Sequence, residues 1–281
     1  MVRKFIKSRK GNNSKSFFSL TSIIIFINVI LFFVFTIFFA INPSSVNQVA
    51  ITPSSFVNFD SPWTLITSMF MHANGFHLLV NMFTLFFLGT FSEKIIGRKR
   101  FLWLYLISGI IAGLAFVFFA YIGSFFSFGE NVFGAMSDSA VGASGALFGL
   151  LGLLAVLIPW HSVYLIAGPL IVVILQFILG PLLPASAGNV FYMATTFLIF
   201  FMIFAMFSSN SKFRKLALPV KMPLWLAPVI AIVPLVAISF FVKLPIGNTA
   251  HFGGLVVGLV YGFYLRKKYK NKIRLLRRYI R

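Results

Sequence analysis

Long apolar runs separated by short polar stretches repeat from one end of the chain to the other. Eight of them are predicted to be membrane-crossing helices, over roughly 17–41, 76–92, 101–123, 141–158, 162–183, 189–207, 224–242 and 249–266, each long enough to bridge a hydrocarbon layer. One stretch fits neither category. Residues 42–75 are too apolar for a solvated loop and too polar to span, and Phe56, Phe59, Trp63, Leu65, Ile66, Met69 and Phe70 predict short helices lying in the membrane interface.

Charge tests this count. If the N-terminus lies on the inner side, the inner segments are 1–16, 93–100, 159–161, 208–223 and 267–281. Together with Arg266 at a helix end, they hold every one of the 24 basic residues except Lys243. Basic residues concentrate in cytoplasmic loops, so the alternation predicts an even number of spans with both termini cytoplasmic, and an odd number would break the agreement. Three of the four acids, Asp60, Glu130 and Asp138, fall on the outer side.

Composition then narrows the class. The 281 residues are 59% hydrophobic and 10% charged, against about 25% charged in soluble domains. A soluble core could not cover so much Phe, Ile and Leu. The net charge of +20 is split among separate clusters without basic–aromatic interleaving, which argues against nucleic acid as a partner. There is no cysteine, which excludes disulfides, thiolate catalysis and Cys-ligated zinc. The first run is too long for a signal-peptide core and lacks a small-residue cleavage site, so it is expected to be a retained span.

Polar groups in hydrocarbon are costly and mark candidate sites. Three places stand out, all near the outer ends of predicted helices. Ser144 lies in Gly142-Ala143-Ser144-Gly145, and Gly145, Gly149 and Gly152 follow as a smooth stripe for helix contact. It is either one more small packing residue or a nucleophile. His251, in Ala250-His251-Phe252-Gly253-Gly254, shares a helix face with Gly254, Gly258 and Gly262, all within about 60° of it. It is either a structural histidine satisfied by a carbonyl or a base presented to a neighbouring helix. His77 and Asn81, at i and i+4, share a face. They either bind helices together or aim two donors at one developing negative charge. No Asp or Glu lies inside any predicted span, so a triad would have to borrow Asp138 from a loop, and a Ser-His pair fits better. The His77–Asn81 spacing also resembles a zinc pair, but without an acidic ligand nearby no metal is expected, and no cofactor is called for.

Taken together, Gly142-x-Ser144-Gly145, Ala250-His251-x-x-Gly254-x-x-x-Gly258 and His77-x-x-x-Asn81, preceded by Met71-His72, resemble the rhomboid family of intramembrane serine proteases. The resemblance covers most of the chain and points to a prokaryotic-type member. It implies an all-α polytopic bundle, with a six-helix core plus an inserted helix pair. Ser144 would be the nucleophile and His251 the general base, with His77, Asn81 and the backbone N–H of Ser144 as the oxyanion hole. The expected layout is a basic cytoplasmic tail over 1–16, a membrane protease domain over 17–266 with an insert at about 162–207, and a second basic tail over 267–281. Ser144 and His251 are 107 residues apart, too far for one intervening helix at about 1.5 Å per residue, hence the inserted pair. Substrates would be transmembrane protein segments reaching the site from the lipid bilayer of a cell membrane and cleaved near its outer face. Two positions depart from many relatives: Pro62-Trp63-Thr64 lacks an arginine after the tryptophan, and Phe148 stands where a tyrosine is common beneath the histidine.

Two rival functions remain in view. A non-catalytic rhomboid-like scaffold would typically lack the serine or the histidine, and both are present. A secondary transporter would show matched broken helices in two halves, and neither internal symmetry nor an intramembrane carboxylate is seen.

Overall fold

The structure, a computed structural model, describes residues 18–241, 243–244 and 247–279. The predicted N-terminal tail therefore lies outside the described residues. The chain is a helical, polytopic membrane protein. Its longer elements are α1 (Leu20–Ile41), α2 (Gly75–Ile96), α3 (Arg98–Gly123), α4 (Ser144–Leu157), β1 (Ser162–Ile166), α5 (Ala167–Leu179), α6 (Ala185–Ala205), β2 (Pro219–Pro223), α7 (Ala227–Ser239), α8 (Asn248–Lys268) and α9 (Lys270–Tyr279). Helices α1, α2, α3 and α6 have both the length and the apolarity to cross a bilayer, while α4, α5 and α7 are shorter apolar helices. Two compact units form, one from residues up to Pro159 and from Pro228 onward, the other from Trp160–Ala227.

In the first unit α3, α4 and α8 pack on one another through glycines. A Cβ on Gly254 would run into the carbonyl oxygen of Gly145, and one on Gly258 into that of Gly149. On the opposite side of α4, a Cβ on Gly145 would meet Ala112 and one on Gly149 would meet Ser108, both on α3. The stripe expected on α4 therefore serves two neighbours: Gly145 and Gly149 turn their carbonyls to α8 and their Cα hydrogens to α3, while a Cβ on Gly152 would meet Leu255 of α8. Gly253 of α8 completes the triangle against Ala115 and the Ile111 carbonyl. Without a hydrophobic driving force between helices in lipid, such close approach supplies the packing. Leu150, Leu153, Leu154 and Leu157 of α4 are almost fully buried.

Helix α4 has 14 residues and so measures about 21 Å, short of a hydrocarbon core of about 30 Å. Its start is reached through irregular backbone, which within a membrane is tolerated only when protein or a water-filled cavity covers it. Segment 42–70 provides that cover as short helical turns at Pro43–Gln48, Pro53–Val57, Thr64–Thr67 and Ser68–Phe70. Phe59, Trp63 and Ile66 remain exposed on it, as expected of an interfacial element. The Trp63 indole donates to the Gln48 carbonyl (2.8 Å) and Thr67 Oγ1 to the Val49 carbonyl (2.8 Å), ties that hold the segment together.

At the other end, Glu93 on α2 closes the start of α1. Its carboxylate accepts from the backbone N–H of Leu20 (3.0 Å) and Thr21 (2.9 Å) and from Thr21 Oγ1 (2.8 Å). This satisfies donors that a helix N-terminus leaves free and places a negative charge at its positive end. Gly89, in a π-turn that interrupts α2, lets α2 approach Thr21 closely.

The second unit differs from expectation. The span predicted over 162–183 begins as a strand, and helix α5 starts only at Ala167. β1 pairs antiparallel with β2, from Ser162 opposite Pro223 to Ile166 opposite Pro219. A two-stranded ribbon has open edges that need water, so this segment belongs outside the hydrocarbon. The apolar run Val163–Ile166 reads equally well as helix or strand. Gln176 on α5 donates to Thr195 Oγ1 (2.6 Å) on α6, a polar tie between the paired helices. The span predicted over 224–242 begins as a 3-10 turn and is α-helical over Ala227–Ser239, with Pro234 inside it. The segment expected as a C-terminal tail is helical through Tyr279 apart from Tyr269 between the two helices: α8 runs to Lys268 and α9 covers Lys270–Tyr279.

Because charge alternates with these elements, Ser127 and Ser211, both exposed, are expected on opposite sides of the membrane. In intact cells Ser127→Cys should react with an impermeant thiol reagent and Ser211→Cys should not. The reverse pattern would remove the predicted topology.

Candidate active site

Backbone geometry places Ser144. Residues 134–143 lead into α4 and are tied to the interfacial segment: Ile51 and Ala140 form an antiparallel bridge, Ser54 N–H donates to the Met136 carbonyl (3.0 Å), and Thr52 and Ser139 hydroxyls meet at 2.8 Å. Gly142 N–H then donates to the Ser68 carbonyl (2.8 Å). Gly142 has φ +121°, a conformation that glycine adopts without penalty. Ala143 caps α4 and Ser144 is its first residue. The first-turn N–H groups of a helix have no intrahelical acceptor.

His251 sits in the first turn of α8, its N–H bonded to the Gly247 carbonyl (3.0 Å). The glycine contacts between α4 and α8 bring its Nε2 to 2.9 Å from Ser144 Oγ. Phe148, one turn along α4, stacks on the imidazole with centroids 4.4 Å apart and planes at 17°. The ring contact does not need the absent tyrosine hydroxyl. His251 Nδ1 is buried and has no hydrogen-bond partner among the described residues. For Nε2 to accept the serine proton, Nδ1 must carry the ring hydrogen.

His77 and Asn81 approach from α2. Asn74 begins that helix, its side chain accepting from His77 N–H (2.8 Å). A Cβ on Gly142 would lie 2.8 Å from His77 Cε1, 2.9 Å from His77 Nε2 and 3.3 Å from Asn81 Nδ2. Both side chains therefore close on the backbone two residues before Ser144. Asn81 is 4% exposed and its Nδ2 has no partner among the described residues. A buried donor left unpaired costs about 1–3 kcal/mol, a cost that an incoming oxyanion would remove.

Two further residues complete the surroundings. His72, in the loop ahead of α2, packs edge-on against His77 with centroids 5.2 Å apart. Burial pushes its imidazole down to about 4; nearby His77 adds to this and the Phe70 backbone opposes it. His72 is therefore neutral at physiological pH and adds no charge beside His77. Asp138 is engaged elsewhere: one carboxylate oxygen accepts from Ala135 N–H (2.8 Å) and the other pairs with Lys243 (2.9 Å). The basic residue that broke the charge alternation is thus the partner of the acid that a triad would have borrowed. Glycine is the residue that adopts a positive φ readily, but the sequence alone does not show that Gly142 uses it.

Fold and geometry define a polytopic membrane protein with a serine hydroxyl and an imidazole in hydrogen-bond contact, beside a buried amide donor. The chain matches the Rhomboid domain over residues 60–198 and 195–268, and it belongs to that family. It is 38% identical over 99 residues to RHOMBOID-like protein 4 of Arabidopsis thaliana, covering 34% of this chain and 21% of that protein. It is 37% identical over 90 residues to the putative rhomboid protease YdcA of Bacillus subtilis, covering 32% and 38%. To the rhomboid protease GluP of the same organism it is 37% identical over 93 residues, covering 33% and 15%. The matched region thus spans less than two-fifths of each relative's length.

Gly142 and Gly134 offer a matched pair of tests, since both have positive φ (+121° and +89°). A Cβ on Gly134 would meet Phe116 instead of His77. Each alanine variant should lose stability, about 1–3 kcal/mol for an unfavourable backbone conformation. Only Gly142→Ala should also slow fluorophosphonate labelling of the remaining folded protein. Equal labelling rates would show that Gly142 does not set the position of His77.

Proposed function

We propose that this chain is an intramembrane serine endopeptidase that cleaves transmembrane segments of other proteins with a Ser144–His251 dyad. The single observation that carries the reading is the 2.9 Å contact between Ser144 Oγ and His251 Nε2, on the serine and histidine motifs that resemble the family's. In this reading the cell membrane holds the protein with both termini cytoplasmic. Residues 17–266 form the protease domain, and the helix pair within the compact unit 160–227 is inserted into a six-helix core.

The chemistry follows from the placement. Ser144 Oγ attacks the scissile carbonyl as His251 Nε2 takes its proton, and the oxygen gains negative charge. His77, the Asn81 amide and the Ser144 N–H are the donors that meet that charge. As the tetrahedral adduct collapses, the C–N bond breaks and the leaving amine takes the proton from the imidazolium. Water then attacks the acyl-enzyme, giving its proton to His251, and Ser144 recovers a proton as the new carboxyl product departs. A helical substrate must unwind locally, because its carbonyls are otherwise occupied in its own hydrogen bonds.

A serine hydroxyl needs a base near neutral pH, and no carboxylate in the described spans faces His251. Ser144→Ala, His251→Ala and the double variant should therefore be almost equally inactive on a reconstituted transmembrane substrate, since groups acting as a unit are not additive. The parent rate should fall on the acid side as the imidazole is protonated and stops accepting. Asp138→Asn should keep most activity, because that carboxylate is spent on Ala135 and Lys243. A folded His251→Ala variant that cleaves and labels like the parent would make the histidine structural and end this reading.

The oxyanion assignment has its own test. Asn81→Ala and His77→Ala should remain folded and lose on the order of 10²–10³ in kcat, the usual loss for one such donor. If both cleave at the parent rate, the two side chains only bind helices together.

A further inference from the structure

At the end of the first unit remote from Ser144, helix α9 carries a charge pattern that nothing within the chain answers. Lys270, Arg274 and Arg278 follow at i, i+4 and i+8, form one stripe along the helix, and are all exposed. Arg266, Lys267 and Lys268 precede them at the exposed end of α8. The chain has four acids in all, Asp60, Glu93, Glu130 and Asp138. Glu93 is taken up by the start of α1 and Asp138 by Lys243. Asp60, in a loop, and Glu130, in the short helix Gly129–Phe133, lie at the Ser144 end of the helices. The counter-charge for α9 must come from outside the chain.

A second stripe lies beside the first. Leu275 and Tyr279, at i and i+4, are 43% and 72% exposed, and at 100° per residue they flank the basic stripe on its outer side. The opposite face is fixed in place. Ile273 and Leu276 are buried, and the Arg277 guanidinium donates from Nε to the Leu157 carbonyl and from Nη2 to the Val156 carbonyl, each at 2.8 Å. Those are carbonyls of the last turn of α4, which lack partners within their own helix. Tyr269, between α8 and α9, accepts a hydrogen bond from Arg100 of α3 (2.8 Å) and lies under its guanidinium. Helix α9 is therefore docked against α3 and α4, and its two outward stripes have a settled orientation.

We propose that α9 lies in the plane of the membrane and binds anionic phospholipid headgroups. Lys270, Arg274 and Arg278 meet the phosphates, and Leu275 and Tyr279 enter the acyl boundary beside them. A basic stripe next to an apolar one, directly after a membrane helix, fits a charged lipid surface. An acidic soluble protein or nucleic acid would match the basic stripe alone and leave the apolar one without a role.

The chain has no cysteine, so a single Leu275→Cys substitution in the full-length protein accepts an environment-sensitive fluorophore at one position. The labelled protein is reconstituted in phosphatidylcholine vesicles, with or without phosphatidylglycerol. Phosphatidylglycerol should shift the emission to the blue, and high salt should reverse the shift. The shift should be lost when Lys270, Arg274 and Arg278 are changed together to Gln, with melting of the triple variant confirming that it is folded. Inorganic phosphate added to phosphatidylcholine vesicles should not reproduce it. Identical emission in both lipids, or an undiminished shift in the folded triple variant, would overturn the proposal. A shift produced equally by a soluble polyanion on phosphatidylcholine vesicles would assign the stripe to a macromolecular partner and overturn it as well.

Discussion

The candidate site depends on two backbones touching. Where α4 meets α8, the carbonyl oxygens of Gly145 and Gly149 occupy the space that side chains at 254 and 258 would need. Carbonyls held in a helix cannot swing aside as a flexible side chain can, so any substitution there must separate the helices. The Ser144–His251 distance is set within the same contact, within one turn of Gly145 and Gly254. The polar groups that would do the chemistry are therefore positioned by residues that have no chemistry of their own.

A different kind of force holds the entry to α4. Between Gly134 and Ala143 the chain has no regular structure, and within a membrane each unpaired backbone group is expensive. The bridge between Ile51 and Ala140 and the bond from Gly142 to Ser68 answer that need with backbone from an interfacial segment. Segment 42–70 is thus a partner of the nucleophile's own loop as well as a membrane-surface element. This explains why it is rich in Ser, Thr and Asn although it lies beside lipid.

Much of the helical framework was legible because hydropathy and charge are averaged over many residues, and single errors cancel. The stripe on α8 was legible too, since Gly254, Gly258 and Gly262 have a helical period. Features that depend on one long-range partner were not. Nothing near Glu93 in sequence says that it closes the start of α1, and Arg277 looked like one cation in a basic tail. Asn28 was hidden in the most apolar helix, where it is buried and bonds the Ile24 carbonyl. The ribbon of β1 and β2 was missed because pairing across 52 to 60 intervening positions leaves no local period to read. At the site, the residue types were visible in the sequence, but the turn at Gly142 and the unpaired Asn81 amide needed coordinates.

The separation of the two site residues along the chain also has a consequence for biosynthesis. The tie between Glu93 and the start of α1 joins elements about 70 residues apart and involves helices made before α4. The hydrogen bond between Ser144 and His251 spans 107 residues and involves α8, which is made well after α4. Short-range contacts close early and distant ones late. A chain made only as far as α4 therefore has its serine without its histidine, and the pair is completed only once α8 has been made.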